Sequence, residues 1–177
     1  YGRWPKYLNH NYELFLGDVS NRIDLKSALK DVNIIFHLAA ELDLNPQYQR
    51  FIDTNVGSTA LIFELINEFN YPVEKVIIAS TQFVYGHGKW GSSKGDVFYP
   101  EKRVINDFWD FSDGDEKLNY LICKEDQKVN PPNHYALSKY FQEKFSITMG
   151  KLNNIHVNIL RFSIIHGPRQ SIKNTYS

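Results

Sequence analysis

Three apolar, β-branched runs, set apart by segments of helical length, constrain this chain more than any other feature of it. Val32-Asn33-Ile34-Ile35-Phe36-His37-Leu38-Ala39-Ala40 closes on small residues. Val76-Ile77-Ile78-Ala79 runs into the hydroxyl pair Ser80-Thr81, and His156 to Leu160 leads to Arg161 and a turn at Gly167-Pro168. The first run suits a parallel strand buried on both faces, the second reads as the next buried strand and the third as another strand. The helical segments are Ile23 to Leu29, with Leu25 and Leu29 on one face; Pro46 to Phe69, with Ile62, Ile66 and Phe69 at core-facing spacing; and about Asn133 to Met149, after the stop at Pro131-Pro132. Before all of these, Tyr12 to Val19 reads as a short strand ending in a turn at Gly17-Asp18. Strand and helix in this order imply right-handed βαβ crossovers, and so an α/β fold with a doubly wound parallel sheet.

A chain of 177 residues, 42% apolar and 23% charged, supports one core and is too short for two comfortable ones. Its 20 basic and 20 acidic residues cancel, which argues against nucleic acid or an anionic membrane as partner. The single cysteine, Cys123, cannot close an internal disulfide, and no Cys/His spacing resembles a metal site, so the default setting is cytoplasmic. No apolar run approaches a membrane span. Residues 87–132 show no regular period and mix Trp90, Phe98, Tyr99, Phe108, Trp109 and Phe111 with charges. They read as an insertion, either with a small hydrophobic cluster of its own or as a lid or subunit contact that orders when ligand binds.

The chemistry is concentrated in Asn133-His134-Tyr135-Ala136-Leu137-Ser138-Lys139, where a phenol and an ammonium lie four residues apart and share a helical face. A phenol of pKa about 10 is a poor base at neutral pH, and lowering it by about 3 units takes roughly 4 kcal/mol of preferential phenolate stabilisation. One cation about 4 Å away, at an effective dielectric near 20, supplies about that much. The pair can therefore make a general base that removes a hydroxyl proton while hydride leaves the same carbon. Alone the heptapeptide also fits an amphipathic helix with Tyr135 packed and Lys139 solvated. His37 and His134 are expected to be structural.

Ligands of open parallel sheets bind beyond the carboxyl ends of the strands. Four features fall there: Gly17-Asp18-Val19, His37-Leu38-Ala39-Ala40, Ser80-Thr81-Gln82-Phe83-Val84-Tyr85-Gly86, and Arg161 through Gly167-Pro168-Arg169-Gln170. With Tyr135 and Lys139, and in this order, they resemble the extended short-chain dehydrogenase/reductase family of nucleotide-sugar epimerases and dehydratases. The resemblance implies a Rossmann-like domain over residues 1–177, interrupted by the insertion, with NAD or NADP as cofactor. It implies that Asp18 accepts a hydrogen bond from the adenine with Val19 packed on the ring, that Leu38, Ala39 and Ala40 let the backbone approach the pyrophosphate and ribose, and that Asn55 supports the cofactor side of the site. Tyr135 becomes the base, Thr81 a hydroxyl donor to the reacting oxygen, and Lys139 both a phenolate partner and a ligand of the nicotinamide ribose. Gln82, Phe83 and Arg169 fall on the substrate side, and relatives of this kind form homodimers.

Three departures narrow the reading. Gln82-Phe83 stands where 4,6-dehydratases commonly carry an acid/base pair, which disfavours dehydration. Ile164 stands where many relatives have an Asn contacting a diphosphate, which weakens the case for a nucleotide sugar, although the Gly-Pro-Arg-Gln sequence is kept. No Gly-x-x-Gly-x-x-Gly precedes Gly17. The expectation is therefore a fragment lacking its first βαβ unit and most of the carboxy-terminal substrate part, unable as written to bind NAD(P) tightly. The expected activity of the whole is NAD(P)-dependent nucleotide-sugar epimerisation. The alternatives are an NAD(P)H-dependent carbonyl reductase using the same pair and a catalytically silent cofactor-binding or interaction module.

Overall fold

The computed structural model describes residues 12–42, 46–100, 111–113 and 116–168. Helix α1, Arg22–Ala28, starts where the Asn21 side chain accepts the amides of Ile23 and Asp24, and strand β1, Ile34–His37, follows. Helix α2, Tyr48–Phe51, continues without a break through a π-helical segment, Ile52–Gly57, into α3, Ser58–Phe69, which ends at Asn70 in the left-handed conformation. Strand β2, Lys75–Thr81, passes into a 3-10 turn, Gln82–Tyr85. Five short strands come next: β3 Lys89–Gly91, β4 Val97–Phe98, β5 Ser112–Asp113, β6 Glu116–Lys117 and β7 Asn119–Leu121. The last elements among the described residues are α4, His134–Leu152, and β8, His156–Phe162.

The main sheet has the order β1-β2-β8 and is parallel throughout, with Ile35 opposite Val76 and Val76 opposite Val157. Parallel neighbours need crossovers, and the long helix and α4 supply them, giving the Rossmann-like α/β architecture. Because side chains alternate along a strand, one face carries Ile35, Val76, Ile78 and Ile159. It packs against Ile62, Phe63 and Ile66 of α3, with Leu25 and Leu29 of α1 behind them. Each such side chain contributes about 1.5–3 kcal/mol on burial. Where α4 meets β8, a β-carbon on Gly150 would lie 2.4 Å from Val157 Cγ2 and 2.8 Å from the Ile155 carbonyl, so only glycine permits that approach.

Two expectations need correction. Among the described residues no element covers the other face of the sheet, which leaves Ile34 50%, Phe36 63% and Leu160 39% exposed, so within them the strands are packed on one face rather than two. Residues 12–17 are not a strand: they have no ladder partner among the described residues, and Leu16 is 82% exposed. The segment after β2, without period in sequence, forms an antiparallel sheet of order β4-β3-β7 and a β5-β6 pair. Trp90, Phe111 and Leu118 are buried there with Phe98 against them, a cluster separate from the main core. The segment leaves and rejoins the domain at one place, where the Asn130 amide donates to the Val84 carbonyl at 2.9 Å. Gly86 sits there with φ 66°, and a β-carbon on it would fall 2.5 Å from the Asn130 carbonyl oxygen. No helix among the described residues is long and apolar enough to cross a membrane.

Candidate active site

At the carboxyl ends of β1, β2 and β8 lies a cleft of about 310 Å³, into which Thr81, Tyr135 and Lys139 all open. Leu38 and Ala40 line it from the loop beyond β1, Phe83 from the 3-10 turn, and Ile164 from the chain beyond β8. A larger hollow of about 440 Å³ runs along β8 beside Glu143 and Arg161, but those two groups are paired with each other there. The smaller cleft holds the reactive functional groups.

Local structure puts each group in place. Asn133 caps α4 by accepting the Ala136 amide at 2.8 Å, which sets Tyr135 in the first turn, near the positive end of a 19-residue helix that favours a phenolate. One turn on, Lys139 is 1% exposed, so the solvated reading of this residue is excluded. Burial lowers its pKa to about 8 against the opposing charge of Glu143, which leaves it a cation at neutral pH. Its ammonium donates to Gln142 Oε1, and its other two N–H donors meet no acceptor among the described residues. That spare donor capacity at the cleft wall fits a ribose diol. Thr81 is 5% exposed, and its Oγ1 accepts the Phe83 amide at 3.2 Å, which leaves the hydroxyl proton to donate into the cleft.

His37 ends β1, buried, with Nε2 2.9 Å from Ser58 Oγ. Ser58 donates its own proton to the Thr54 carbonyl, so Nε2 of His37 carries the hydrogen. Burial, with the Lys139 charge adding to it, pushes His37 down to about 4, so it is neutral and structural. His134 packs edge-on against Tyr48 and Phe51 at 5.1 and 4.5 Å, also as structure.

Asn55, within the π-helical segment, is fully buried and points inward rather than at solvent. It accepts the Glu41 amide at 2.8 Å and donates to the Glu41 carbonyl at 3.2 Å and to Ser138 Oγ at 2.9 Å. It thus fastens the loop after β1 to α4 beside Lys139 through protein groups. Asp18 closes a turn, its Oδ1 accepting the Ser20 amide at 2.7 Å. With Val19 it lines a separate hollow of about 140 Å³. Ala39 and Gln82 do not line the main cleft, and Arg169 lies outside the described residues. Among the described residues no group of three or more His, Cys, Asp or Glu could hold a metal ion.

Sequence reasoning missed the supports. Ser80 lines the cleft and donates to Glu143, whose carboxylate takes Arg161 Nε at 3.0 Å and Nη2 at 2.8 Å. Gln142 and Thr59 were also passed over, although the i+3 spacing of Gln142 from Lys139 was visible.

A family model for the NAD-binding group described as Male sterility protein matches residues 20–176. A dTDP-L-rhamnose 4-epimerase from Burkholderia thailandensis is 28% identical over 183 residues, covering 98% of this chain and 49% of that one. A putative UDP-glucose 4-epimerase from Methanocaldococcus jannaschii is 28% identical over 172 residues, covering 94% and 46%. The crystal structure of a UDP-glucuronic acid 4-epimerase from Bacillus cereus in complex with NAD superposes with a TM-score of 0.61 at 25% identity, over 87% of this chain and 39% of that one. The chain thus spans about half the length of the curated relatives it matches. It belongs to the NAD-binding Male sterility protein family, within the extended short-chain dehydrogenases/reductases.

Proposed function

We propose that this chain carries the reaction centre of an NAD(P)-dependent nucleotide-sugar epimerase. The observation that carries the reading is the meeting of Thr81, Tyr135 and a buried Lys139 on one cleft at the strand ends. NAD(P), when bound, supplies the hydride acceptor. Tyr135, held toward phenolate by Lys139 and the helix terminus, takes the proton of a sugar hydroxyl, and Thr81 donates to that oxygen while it becomes a ketone oxygen. Once the ketone has presented its other face, the hydride that the bound cofactor would have taken goes back to the carbon while Tyr135 returns the proton to the oxygen, and configuration at that carbon is inverted. Gln82-Phe83 offers no acid/base pair to expel a neighbouring hydroxyl, so dehydration does not compete.

A second reading, one-way reduction of a less polar carbonyl by the same residues, draws on the apolar lining by Leu38, Phe83 and Ile164. Net consumption of NAD(P)H would distinguish it from epimerisation. In the full-length protein, Tyr135→Phe should lower turnover at least about a hundredfold with either substrate class. Turnover unchanged in that variant would remove both catalytic readings and leave a silent cofactor-binding module.

A further inference from the structure

Lys139 does not stand alone behind the cleft. Its ammonium donates to Gln142 Oε1, Gln142 Nε2 donates to Thr59 Oγ1 at 2.8 Å, and Thr59 Oγ1 donates to the Asn55 carbonyl at 3.0 Å. All four residues are at most 1% exposed, so water cannot replace any link. The chain has a fixed direction. Thr59 has one hydroxyl proton, already given to Asn55, so it must accept from Gln142, and this turns the amide oxygen of Gln142, not its nitrogen, toward the ammonium. A long helical side chain leans toward the amino-terminal turn, which brings Gln142 back over Lys139 from one turn beyond.

We propose that Gln142 is a positioning residue for Lys139: through its relay to Thr59 and the Asn55 carbonyl it holds the buried ammonium charged and fixed beside Tyr135. This deepens the proposed function and rests on Lys139 serving the Tyr135 cleft. The titratable groups that act on Lys139 are His37 from β1 and Glu143 from α4, Glu143 is itself paired with Arg161 of β8, and Tyr135 of α4 lines the same cleft. From α3 and the π-helical segment come neutral groups that bond its neighbours, Thr59 to Gln142 and Asn55 to Ser138. The neutral amide is the contact that stabilises the ammonium without fixing it against a carboxylate of its own. A hydrogen bond to a charged group in so dry a place shifts its titration by about one unit.

The test compares Gln142→Met, which keeps the volume and removes the acceptor, with Gln142→Glu, which replaces the amide by a carboxylate. The full-length protein, labelled with ¹⁵N at the lysine side-chain nitrogen and free of cofactor and substrate, is titrated by NMR, with Lys139 identified by its loss in Lys139→Arg. The Lys139 midpoint should fall by about one unit in Gln142→Met and rise by at least about one in Gln142→Glu. The alkaline limb of the rate profile should move in the same two directions. Loss of packing alone would lower thermal stability without opposite movements, so the pair of variants separates the roles. Midpoints in both folded variants within about 0.3 unit of the parent would overturn the proposal. Because the titration needs no turnover, the two readings fail separately. A fixed midpoint with a large Tyr135→Phe effect removes only the role of Gln142, and a moving midpoint with an indifferent Tyr135→Phe removes only the enzyme reading.

Discussion

Replacing Arg161 by methionine should be among the most damaging single changes in the sheet, and more damaging than neutralising its partner. The Glu143 side chain is 2% exposed and the Arg161 side chain 22% exposed. Arg161 gives Glu143 two hydrogen bonds, of 3.0 and 2.8 Å, and gives a third to Tyr85 Oη at 2.7 Å and a fourth to the Glu125 carbonyl at 3.1 Å. In Arg161→Met the carboxylate keeps only the Ser80 hydroxyl in a site where it was 2% exposed, which costs about 3–5 kcal/mol, less whatever water entering the neighbouring hollow restores. In Glu143→Gln the guanidinium keeps Tyr85, the Glu125 carbonyl and some solvent, and the amide still accepts one bond, so the loss is about 1–2 kcal/mol. The double variant Arg161→Met with Glu143→Leu removes both charges and should recover most of what Arg161→Met alone forfeits, because an apolar pair needs no compensation. Urea unfolding of the four proteins, followed by far-ultraviolet circular dichroism, gives the cycle directly. Equal losses in the two single variants, or a double variant no better than Arg161→Met, would refute the argument that desolvation of Glu143 sets the cost.

Two further outcomes follow from buried polar groups. Asn55→Ala leaves the Glu41 amide and carbonyl and the Ser138 hydroxyl without their partner, and should destabilise by about 2–3 kcal/mol. Amide exchange at Glu41 should accelerate, and exchange at the parent rate would count against the clamp. His37, with its pKa lowered from 6.5 to about 4 by burial and by Lys139, takes up a proton more readily unfolded than folded between those two values. Stability is therefore lost as pH falls from 6.5 toward 4, by about 3 kcal/mol in total. In His37→Gln that part of the slope should vanish from urea midpoints measured across the range, and an undiminished slope would assign acid sensitivity to other groups.

The parallel sheet was legible because its signal is local: Ile34 to Phe36, Val76 to Ala79 and His156 to Leu160 are runs of residues that suit strands, whatever their neighbours. The start of α4 was equally local, with Pro131-Pro132 forbidding helix and Asn133 able to cap it. What depends on partners was not. A run such as Glu13 to Leu16 becomes a strand only if another backbone pairs with it, and the apolar length of β1 does not say whether one face or both are covered. Residues 87–132 hid their strands because pieces of two or three residues are too short to show alternation. Tyr135, Lys139 and Thr81 were readable from spacing and resemblance, yet that Lys139 is buried rather than solvated depends on Asn55 and Thr59, some eighty residues away.

Helix α4 shows why the supports escape a periodicity argument. Its fully buried residues are Ala136, Ser138, Lys139, Gln142, Glu143, Ser146 and Gly150, with Phe145 and Met149 packed on the core farther along, while Leu137, Phe141 and Leu152 are 42%, 48% and 72% exposed. Read by hydrophobicity, its first half would be turned around, with Leu137 and Phe141 inward and the polar stripe in solvent. The inversion is what the chemistry asks for. On the proposed function Lys139 stays charged beside Tyr135, and a buried ammonium needs acceptors at hand whose own groups are paired in turn, here Gln142, Thr59 and the Asn55 carbonyl in succession. Glu143 extends the same requirement to Ser80 and Arg161, and through Arg161 to Tyr85 and the Glu125 carbonyl at the base of the inserted strands. The polar face of α4 is therefore built of two hydrogen-bonded sets, one running from Lys139 through Gln142 and Thr59 to the Asn55 carbonyl and the other from Ser80 through Glu143 and Arg161 to the base of the inserted strands, and the charge of Glu143 acting on Lys139 couples them.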